Sequence, residues 1–84
     1  MIELLYFAWV RERIGHDGER VELPAGIATV AALLDWLEAR GGGYASALAE
    51  RARLRVAVNQ DFVSPNAPVR PGDEVAIFPP VTGG

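Results

Sequence analysis

The chemically distinctive part of this sequence is its ending, which reads FPPVTGG from Phe78 to Gly84. Pro79 and Pro80 lack a backbone N–H and hold φ at about −65°, so they are expected to end a strand and to continue as a stiff, extended segment. Gly83 and Gly84 carry no Cβ atom, so a narrow channel in another protein is able to close around them. The one special group is the α-carboxylate of Gly84, which is ionised at neutral pH.

A free carboxylate is a poor electrophile, and the common cellular way to activate it is adenylation by ATP. Attack on the mixed anhydride by an amine would conjugate this protein to another protein, whereas attack by a sulfide would make a thiocarboxylate. Neither reaction requires a pocket in this chain, because partner proteins supply the catalysis. We therefore predict a folded domain at residues 1–78 and an extended tail at residues 79–84 that enters a partner's active site. The predicted tail consists of Pro79, Pro80, Val81, Thr82, Gly83 and Gly84.

The composition indicates one small globular domain and excludes several classes of function. The chain has 84 residues, half of them hydrophobic, and its net charge is −3 with every basic residue an arginine. Because there is no basic tract, nucleic acid is not expected as a partner. The apolar runs are shorter than the ~18 residues that a membrane span needs, and the start, MIELLYFAW, lacks the positive region of a signal peptide. We therefore expect a cytoplasmic protein with no membrane partner.

Two residue types are missing from the sequence, and their absence narrows the chemistry. Without cysteine the chain has no disulfide, thiolate metal site or nucleophilic thiol, so we expect no metal and no bound cofactor. Any sulfur that the protein carries would therefore be held by its carboxyl end. Without lysine the chain cannot be linked to copies of itself through lysine side chains, which weighs against a chain-forming, ubiquitin-type role. His16, the only histidine, is expected to be a solvated loop residue with no role.

Hydrophobic periodicity and turn residues predict five strands and one main helix. The apolar residues of segment 30–40 recur at helical spacing, and Thr29 precedes them as a suitable N-cap. The segment 44–53 has helical composition but weak periodicity, so it is expected to form a short helix or a turn. The predicted strands are residues 2–9, 19–23, 54–58, 62–63 and 74–78. This order is typical of an α+β, β-grasp (ubiquitin-like) fold, a mixed sheet with the helix on one face and the first and last strands adjacent in the centre.

A single helix covers only one face of such a sheet, so we expect the other face to be open. Strand alternation places an apolar set on the open face, namely Leu5, Phe7, Ala57, Ala76 and Phe78. An exposed apolar patch of this size on a small domain usually marks a partner surface, and here it would lie beside the root of the tail. Two alternatives stay open: a loop folds over the patch, or the patch is a homodimer face.

Three stretches of the sequence carry a family resemblance. They are Phe7-Ala8 followed by Arg11-Glu12, residues 57–60 with the letters AVNQ, and the ending GDEVAIFPPVTGG. They resemble the FAxxRE, AVNQ and C-terminal motifs of the MoaD family, the small sulfur-carrying subunits of molybdopterin synthase, and the ending matches almost letter for letter. A final Gly-Gly is common to all ubiquitin-like carriers, but the full FPPVTGG ending is far more specific to this family.

The resemblance implies that the chain is not an enzyme on its own but the sulfur-donating subunit of a complex. An adenylyltransferase related to ubiquitin-activating enzymes would use ATP to activate Gly84, and a persulfide on a donor protein would convert the acyl-adenylate to a thiocarboxylate. The tail would then enter the large synthase subunit, where its sulfur passes to cyclic pyranopterin monophosphate to build the dithiolene of molybdopterin. The implied assembly is a heterotetramer of two small and two large subunits. Phe7, Arg11 and Phe78 match family positions that contact partners, and Gly83 gives clearance.

Three other functions stay open at this point. The chain is compatible with a ubiquitin-like sulfur carrier of another pathway, such as thiazole, cysteine or tRNA thiolation. It is also compatible with a protein modifier that forms isopeptide bonds to target lysines. The third alternative is a plain binding module with an inert tail. Deleting Gly84 separates the last from the others, because a carrier or modifier would lose its function while a binding module would keep it.

Overall fold

The computed structural model describes residues 1–80 and contains five strands, three α-helices and one 3-10 helix in that range. The strands are β1 (Ile2–Tyr6), β2 (Gly18–Val21), β3 (Arg55–Val58), β4 (Asp61–Val63) and β5 (Glu74–Phe78). The helices are α1 (Ala8–Ile14), α2 (Val30–Glu38), α3 (Gly42–Leu48) and the 3-10 helix Arg51–Arg53. The bounds of β5 are those predicted from the sequence, and those of α2, β2, β3 and β4 differ from the prediction by at most two residues.

All five strands form one mixed sheet in the order β2-β1-β5-β3-β4. The pair β1–β5 is parallel, with Leu4 opposite Val75, and every other pair is antiparallel. The first and last strands therefore lie side by side in the centre of the sheet, which confirms the predicted β-grasp topology.

The first strand is shorter than predicted, because β1 ends at Tyr6 and the segment after it is helical. The Phe7 N–H makes the last hydrogen bond to the sheet, with the Ile77 carbonyl oxygen at 3.2 Å. Ala8 then turns the chain out of the sheet at φ 53°, in the left-handed region. Phe7, Ala8 and Trp9 are suitable strand residues by composition, but helix α1 buries Val10 completely in the core. The prediction of a strand over residues 2–9 is therefore wrong at its C-terminal end.

Helix α2 is the main helix, as predicted, and two short helices help it to cover the same face. The Thr29 hydroxyl oxygen accepts a hydrogen bond from the Ala32 N–H at 3.2 Å, which satisfies one of the free donors at the start of α2. Helices α1 and α3 touch at Gly43, where a Cβ atom would lie 2.1 Å from the Arg13 carbonyl oxygen. Only glycine allows this close approach of the two helices.

The three α-helices and one face of the sheet enclose a single apolar core. Strands β1 and β5 contribute Ile2, Leu4, Tyr6, Val75 and Ile77, each at most 1% exposed. The predicted stripe of α2 packs against them, with Val30, Leu33, Leu34 and Leu37 all buried. Val21, Leu23 and Val58 are partly buried at the margin of this core.

Tight turns join the strands that lead into β5. Asn59 and Gln60 have φ of 50° and 72° and form a two-residue turn between β3 and β4. Gly72 has φ 92°, and its N–H donates to the Met1 carbonyl oxygen at 2.7 Å, next to the start of β1. The Asn59 N–H donates to the Glu74 carbonyl oxygen at 2.8 Å, so both turns hold the start of β5 against its neighbours.

No helix within the described residues is both long and apolar enough to cross a membrane.

Candidate docking site beside the C-terminal tail

The face of the sheet that the helices leave open carries a continuous row of apolar residues. The register aligns Leu5 of β1 with Ala76 of β5, Ala76 with Ala57 of β3, and Ala57 with Phe62 of β4. Phe7 follows directly after β1, and Phe78 ends β5 on the same side. We call this set the apolar face; it consists of Leu5, Phe7, Ala57, Phe62, Ala76 and Phe78.

Two aromatic side chains dominate the accessible part of the apolar face. Phe62 is 82% exposed and Phe7 is 46% exposed. Phe78 is half-buried, and its ring lies against Phe62 with centroids 5.7 Å apart. An apolar surface of this kind, with two exposed phenylalanines, loses contact with water when another protein covers it, which favours docking.

One predicted contact residue is not accessible. Ala57 lies on the open face, as predicted, but it is only 6% exposed because its small side chain lies between Phe62 and Ala76 on the neighbouring strands. The expectation of an exposed Ala57 is therefore wrong, and this residue forms the floor of the apolar face rather than a contact point.

Phe62 was missed as a surface residue by sequence reasoning, although its strand was predicted. The signal that identifies it is the length of the preceding turn. A two-residue turn at Asn59 and Gln60 places Asp61 opposite Val58 and Phe62 opposite Ala57. Because paired residues of adjacent strands share a face, Phe62 must lie on the open side with Ala57.

Two shallow grooves flank the root of the tail on the open face. The first, of about 440 Å³, is lined by three of the predicted contact residues, Leu5, Phe7 and Arg11, together with residues of β1, β2 and the loop before β2. The second, of about 330 Å³, contains Phe62, Phe78 and Pro80. The second groove is mainly apolar, whereas the first combines apolar residues with charged ones such as Glu3 and Arg20.

The tail begins immediately after β5. Pro79 and Pro80 are half-buried and belong to no strand or helix, as predicted for residues that end a ladder. The predictions for Val81, Thr82, Gly83 and Gly84 lie outside the described residues.

A second group of polar side chains surrounds Glu19 on β2, at the opposite face of the sheet. The Glu19 carboxylate accepts hydrogen bonds from the Tyr6 hydroxyl at 2.8 Å, the Tyr44 hydroxyl at 2.5 Å and the Arg40 Nη1 at 3.0 Å. Burial raises the pKa of Glu19, but these three donors lower the pKa by more, so the net direction is down. Burial and the adjacent Glu19 raise the pKa of Tyr6 well above the ordinary tyrosine value.

The hydrogen bonds of the Glu19 group stabilise the fold, and we assign the group no catalytic role. Its carboxylate accepts three hydrogen bonds from side chains of β1, α3 and the end of α2, so it holds these three elements together. His16, which was expected to be solvated, is exposed but adjoins this group, with its Nε2 at 3.1 Å from the Tyr44 hydroxyl oxygen. The described residues contain no cluster of three or more His, Cys, Asp or Glu side chains that could hold a metal ion.

The fold is that of a ubiquitin-like β-grasp domain, and its open sheet face is apolar beside the last strand. The model of the ThiS family matches residues 4–84, so the chain belongs to the ThiS family. It is 49% identical over 84 residues to the molybdopterin synthase sulfur carrier subunit of Escherichia coli (strain K12), covering 100% of both chains. It is 43% identical over 84 residues to the subunit of that name from Haemophilus influenzae (strain ATCC 51907 / DSM 11121 / KW20 / Rd), again covering 100% of both.

The fold is also found among solved structures. The putative molybdopterin converting factor, subunit 1, of Pyrococcus furiosus superposes with a TM-score of 0.79 at 33% identity, covering 95% of this chain and 97% of the other. The similarity in sequence and in fold thus extends over nearly the whole chain.

Proposed function

We propose that this protein is the sulfur carrier subunit of a molybdopterin synthase and that the Gly84 carboxyl group carries the sulfur. The observation that supports this most strongly is the full-length similarity to two proteins of that name, which includes the FPPVTGG ending. The open apolar face beside the root of the tail supports the same function, because a carrier must dock before its terminus can reach a partner's active site.

The proposed chemistry takes place in three steps. A partner adenylyltransferase joins the Gly84 carboxylate to the adenylyl group of ATP, and pyrophosphate leaves. The terminal sulfur of a persulfide on a donor protein then attacks the acyl carbon, and AMP leaves. A thiol next cleaves the S–S bond of the acyl disulfide, which releases the thiocarboxylate and leaves a disulfide. The carrier contributes no catalytic side chain and no bound cofactor to these steps.

In the proposed synthase, the large subunit covers the apolar face and takes in residues 79–84. Phe7 and Phe62 supply the exposed aromatic contacts, and Arg11 lies at the edge of the first groove. Sulfur then passes from Gly84 to cyclic pyranopterin monophosphate as the dithiolene forms. The same proposal includes a heterotetramer of two small and two large subunits. It also includes a cytoplasmic location, where ATP is available.

The test is the intact mass of the protein purified, without a C-terminal tag, from cells with an active molybdenum cofactor pathway. We expect a species that is heavier by the difference between one sulfur and one oxygen atom and that reacts with an alkylating agent. The matched control lacks Gly84 and should keep its fold but lose this species. If only the unmodified mass is found, even after incubation with ATP, the adenylyltransferase and a sulfur donor, the proposal is wrong.

The same preparation separates the other functions. Adducts between Gly84 and target lysines in the lysate would indicate a protein modifier. A thiocarboxylate that transfers no sulfur to cyclic pyranopterin monophosphate in the presence of the large subunit would indicate a carrier for another pathway. A variant without Gly84 that keeps full function would indicate a binding module.

A further inference from the structure

Five of the eight arginines of this protein fall into two groups that differ in how their charge is neutralised. Arg40 pairs with Glu19 at 3.0 Å. Arg51 pairs with Asp35 at 2.9 Å and with Glu38 at 2.5 Å. These two guanidinium groups are held by carboxylates, so their positive charge is cancelled within the fold and they serve its structure.

A second group is held in place by neutral partners and keeps its charge. Arg13 Nη1 donates to the Ser46 carbonyl oxygen at 3.3 Å, and its guanidinium lies over the Trp9 ring at 4.6 Å from the centroid. Arg53 lies over the same ring at 5.3 Å. Arg55 Nη1 donates to two carbonyl oxygens, those of Ala52 at 3.1 Å and Leu54 at 2.8 Å.

Carboxylates contribute little to this second group. Within residues 1–80 no carboxylate forms an ion pair with Arg13 or Arg55, and Arg53 has only the exposed Glu50 at 3.9 Å. We call Arg13, Arg53 and Arg55 the arginine rim. Its members are positioned by carbonyl groups and by an indole ring, which fix a guanidinium without neutralising it.

The arginine rim lies at the end of the sheet from which the tail leaves. Arg55 is the first residue of β3 and is opposite Phe78, the last residue of β5. Arg13 belongs to α1, which starts at the same end of β1, and Arg53 belongs to the 3-10 helix just before β3. Four carboxylates, those of Glu3, Asp61, Asp73 and Glu74, lie at the opposite end. At the tail end, Asp17 lies before the edge strand β2, which two strands separate from β3, the strand that carries Arg55. The positive surface is therefore local, in a chain with net charge −3.

We propose that the arginine rim binds carboxylate side chains on the protein surface that covers the apolar face, which under the proposed function is the large synthase subunit. Arginine is among the residue types that contribute most at protein interfaces, and Arg55 lines the same groove as Phe62 and Phe78 of the apolar face. Guanidinium groups that are already ordered lose little side-chain entropy when a carboxylate binds. The rim orients the carrier, so that its tail end rather than its acidic end meets the large subunit.

The test is the dissociation constant for the purified large subunit, measured over a series of salt concentrations. The variants are Arg13→Gln, Arg53→Gln, Arg55→Gln and the triple variant. Arg70→Gln is the control. Arg70 is exposed and lies at the opposite, acidic end of the sheet, and its substitution changes the net charge by the same amount as each single variant. We expect about a twofold loss of affinity for each single variant and about tenfold for the triple variant at low salt. The slope of log Kd against log salt concentration should become flatter for the triple variant but not for the control.

Three results would overturn the proposal. The first is a triple variant with the affinity and salt dependence of the unmodified protein. The second is an equal loss of affinity for Arg70→Gln, which would indicate that net charge alone matters. The third is a triple variant that binds more tightly, which would indicate a basic surface on the large subunit. The proposed function fails separately, because in that case the unmodified protein itself would not bind the large subunit.

Discussion

Replacement of Glu19 by alanine is expected to destabilise the fold more than any other loss of a single charged side chain among residues 1–80. Glu19 is the common acceptor for Tyr6, Tyr44 and Arg40, which come from β1, α3 and the end of α2. Tyr6 is only 1% exposed, so without Glu19 its hydroxyl group is left buried with no acceptor. Tyr44 and Arg40 are nearer to the surface and can turn to water.

The magnitude follows from these differences in burial. An orphaned buried hydroxyl costs about 1–3 kcal/mol, and an ion pair as exposed as that of Arg40 contributes about 0.5–1 kcal/mol. The free energy of unfolding should therefore fall by about 1.5–4 kcal/mol, against a total of about 4–13 kcal/mol for a domain of this size. At ~4–8 °C per kcal/mol, the melting temperature should fall by at least about 6 °C.

The assay is urea denaturation followed by circular dichroism, with Glu22→Ala as the matched control. Glu22 lies just after β2, is exposed and makes no ion pair with the described residues, so its removal should change the free energy by less than about 0.5 kcal/mol. Adding Tyr6→Phe to Glu19→Ala removes the orphaned hydroxyl and should restore about 1 kcal/mol or more. A loss below about 0.5 kcal/mol for Glu19→Ala would refute the reasoning.

The Glu19 group also makes the free energy of unfolding depend on pH, and the direction of the pKa shift gives the sign of this dependence. The pKa of Glu19 is lower in the folded state than in the unfolded chain, because the three donors outweigh the effect of burial. Its contribution to stability is therefore complete above the unfolded-state pKa of about 4.3 and is lost as the pH falls through the lower folded-state value. The difference in free energy of unfolding between the unmodified protein and Glu19→Gln should stay constant near neutral pH. It should become smaller as the pH falls below about 4.3.

Three further predictions concern single side chains. Phe62→Ala should weaken binding to the large subunit by about tenfold or more in calorimetric titration, while the melting temperature stays nearly constant because Phe62 is 82% exposed; unchanged affinity would exclude Phe62 from the interface. Gly43→Ala should lower the free energy of unfolding by about 1–3 kcal/mol, since the new Cβ would clash with the Arg13 carbonyl oxygen; an unchanged urea midpoint would contradict this. Thr29→Ala should cost about 1 kcal/mol by the same measurement, because the free N–H of Ala32 loses its cap; Thr29→Ser, which keeps the hydroxyl group, should cost less.

The parts of the fold that depend on local pattern were predictable from the sequence. Helix α2 combines a helical apolar stripe with an N-cap at Thr29, and both features lie within one short segment. Strand β5 is bounded by a Gly72 turn and by Pro79, which limit it from both sides. In each case the residues that determine the element are close together in the chain, so the local sequence pattern predicts its bounds.

The errors arose where distant residues decide the structure. Phe7, Ala8 and Trp9 have the composition of a strand, but the core that Val10 enters is built from other segments, and it is this packing that ends β1. The Glu19 group joins residues 13, 21 and 25 positions apart, which no local pattern reveals. The exposure of Phe62 depends on both local and distant residues. The turn at Asn59 determines which face Phe62 lies on, but only once the pairing of β3 with β4 is known.

The central position of β5 has a consequence for how the protein is made. Strand β5 joins the pair β1–β2 to the pair β3–β4, so the sheet remains in two halves until residues 74–78 are in place. A ribosome synthesises those residues after every other strand of the sheet, so the sheet is completed only when the chain through Phe78 has left the exit tunnel. A nascent chain cut short before Phe78 would lack its central strand and would be open to proteolysis. Cellular quality control would thus remove incomplete carriers before they occupy a partner without a usable terminus.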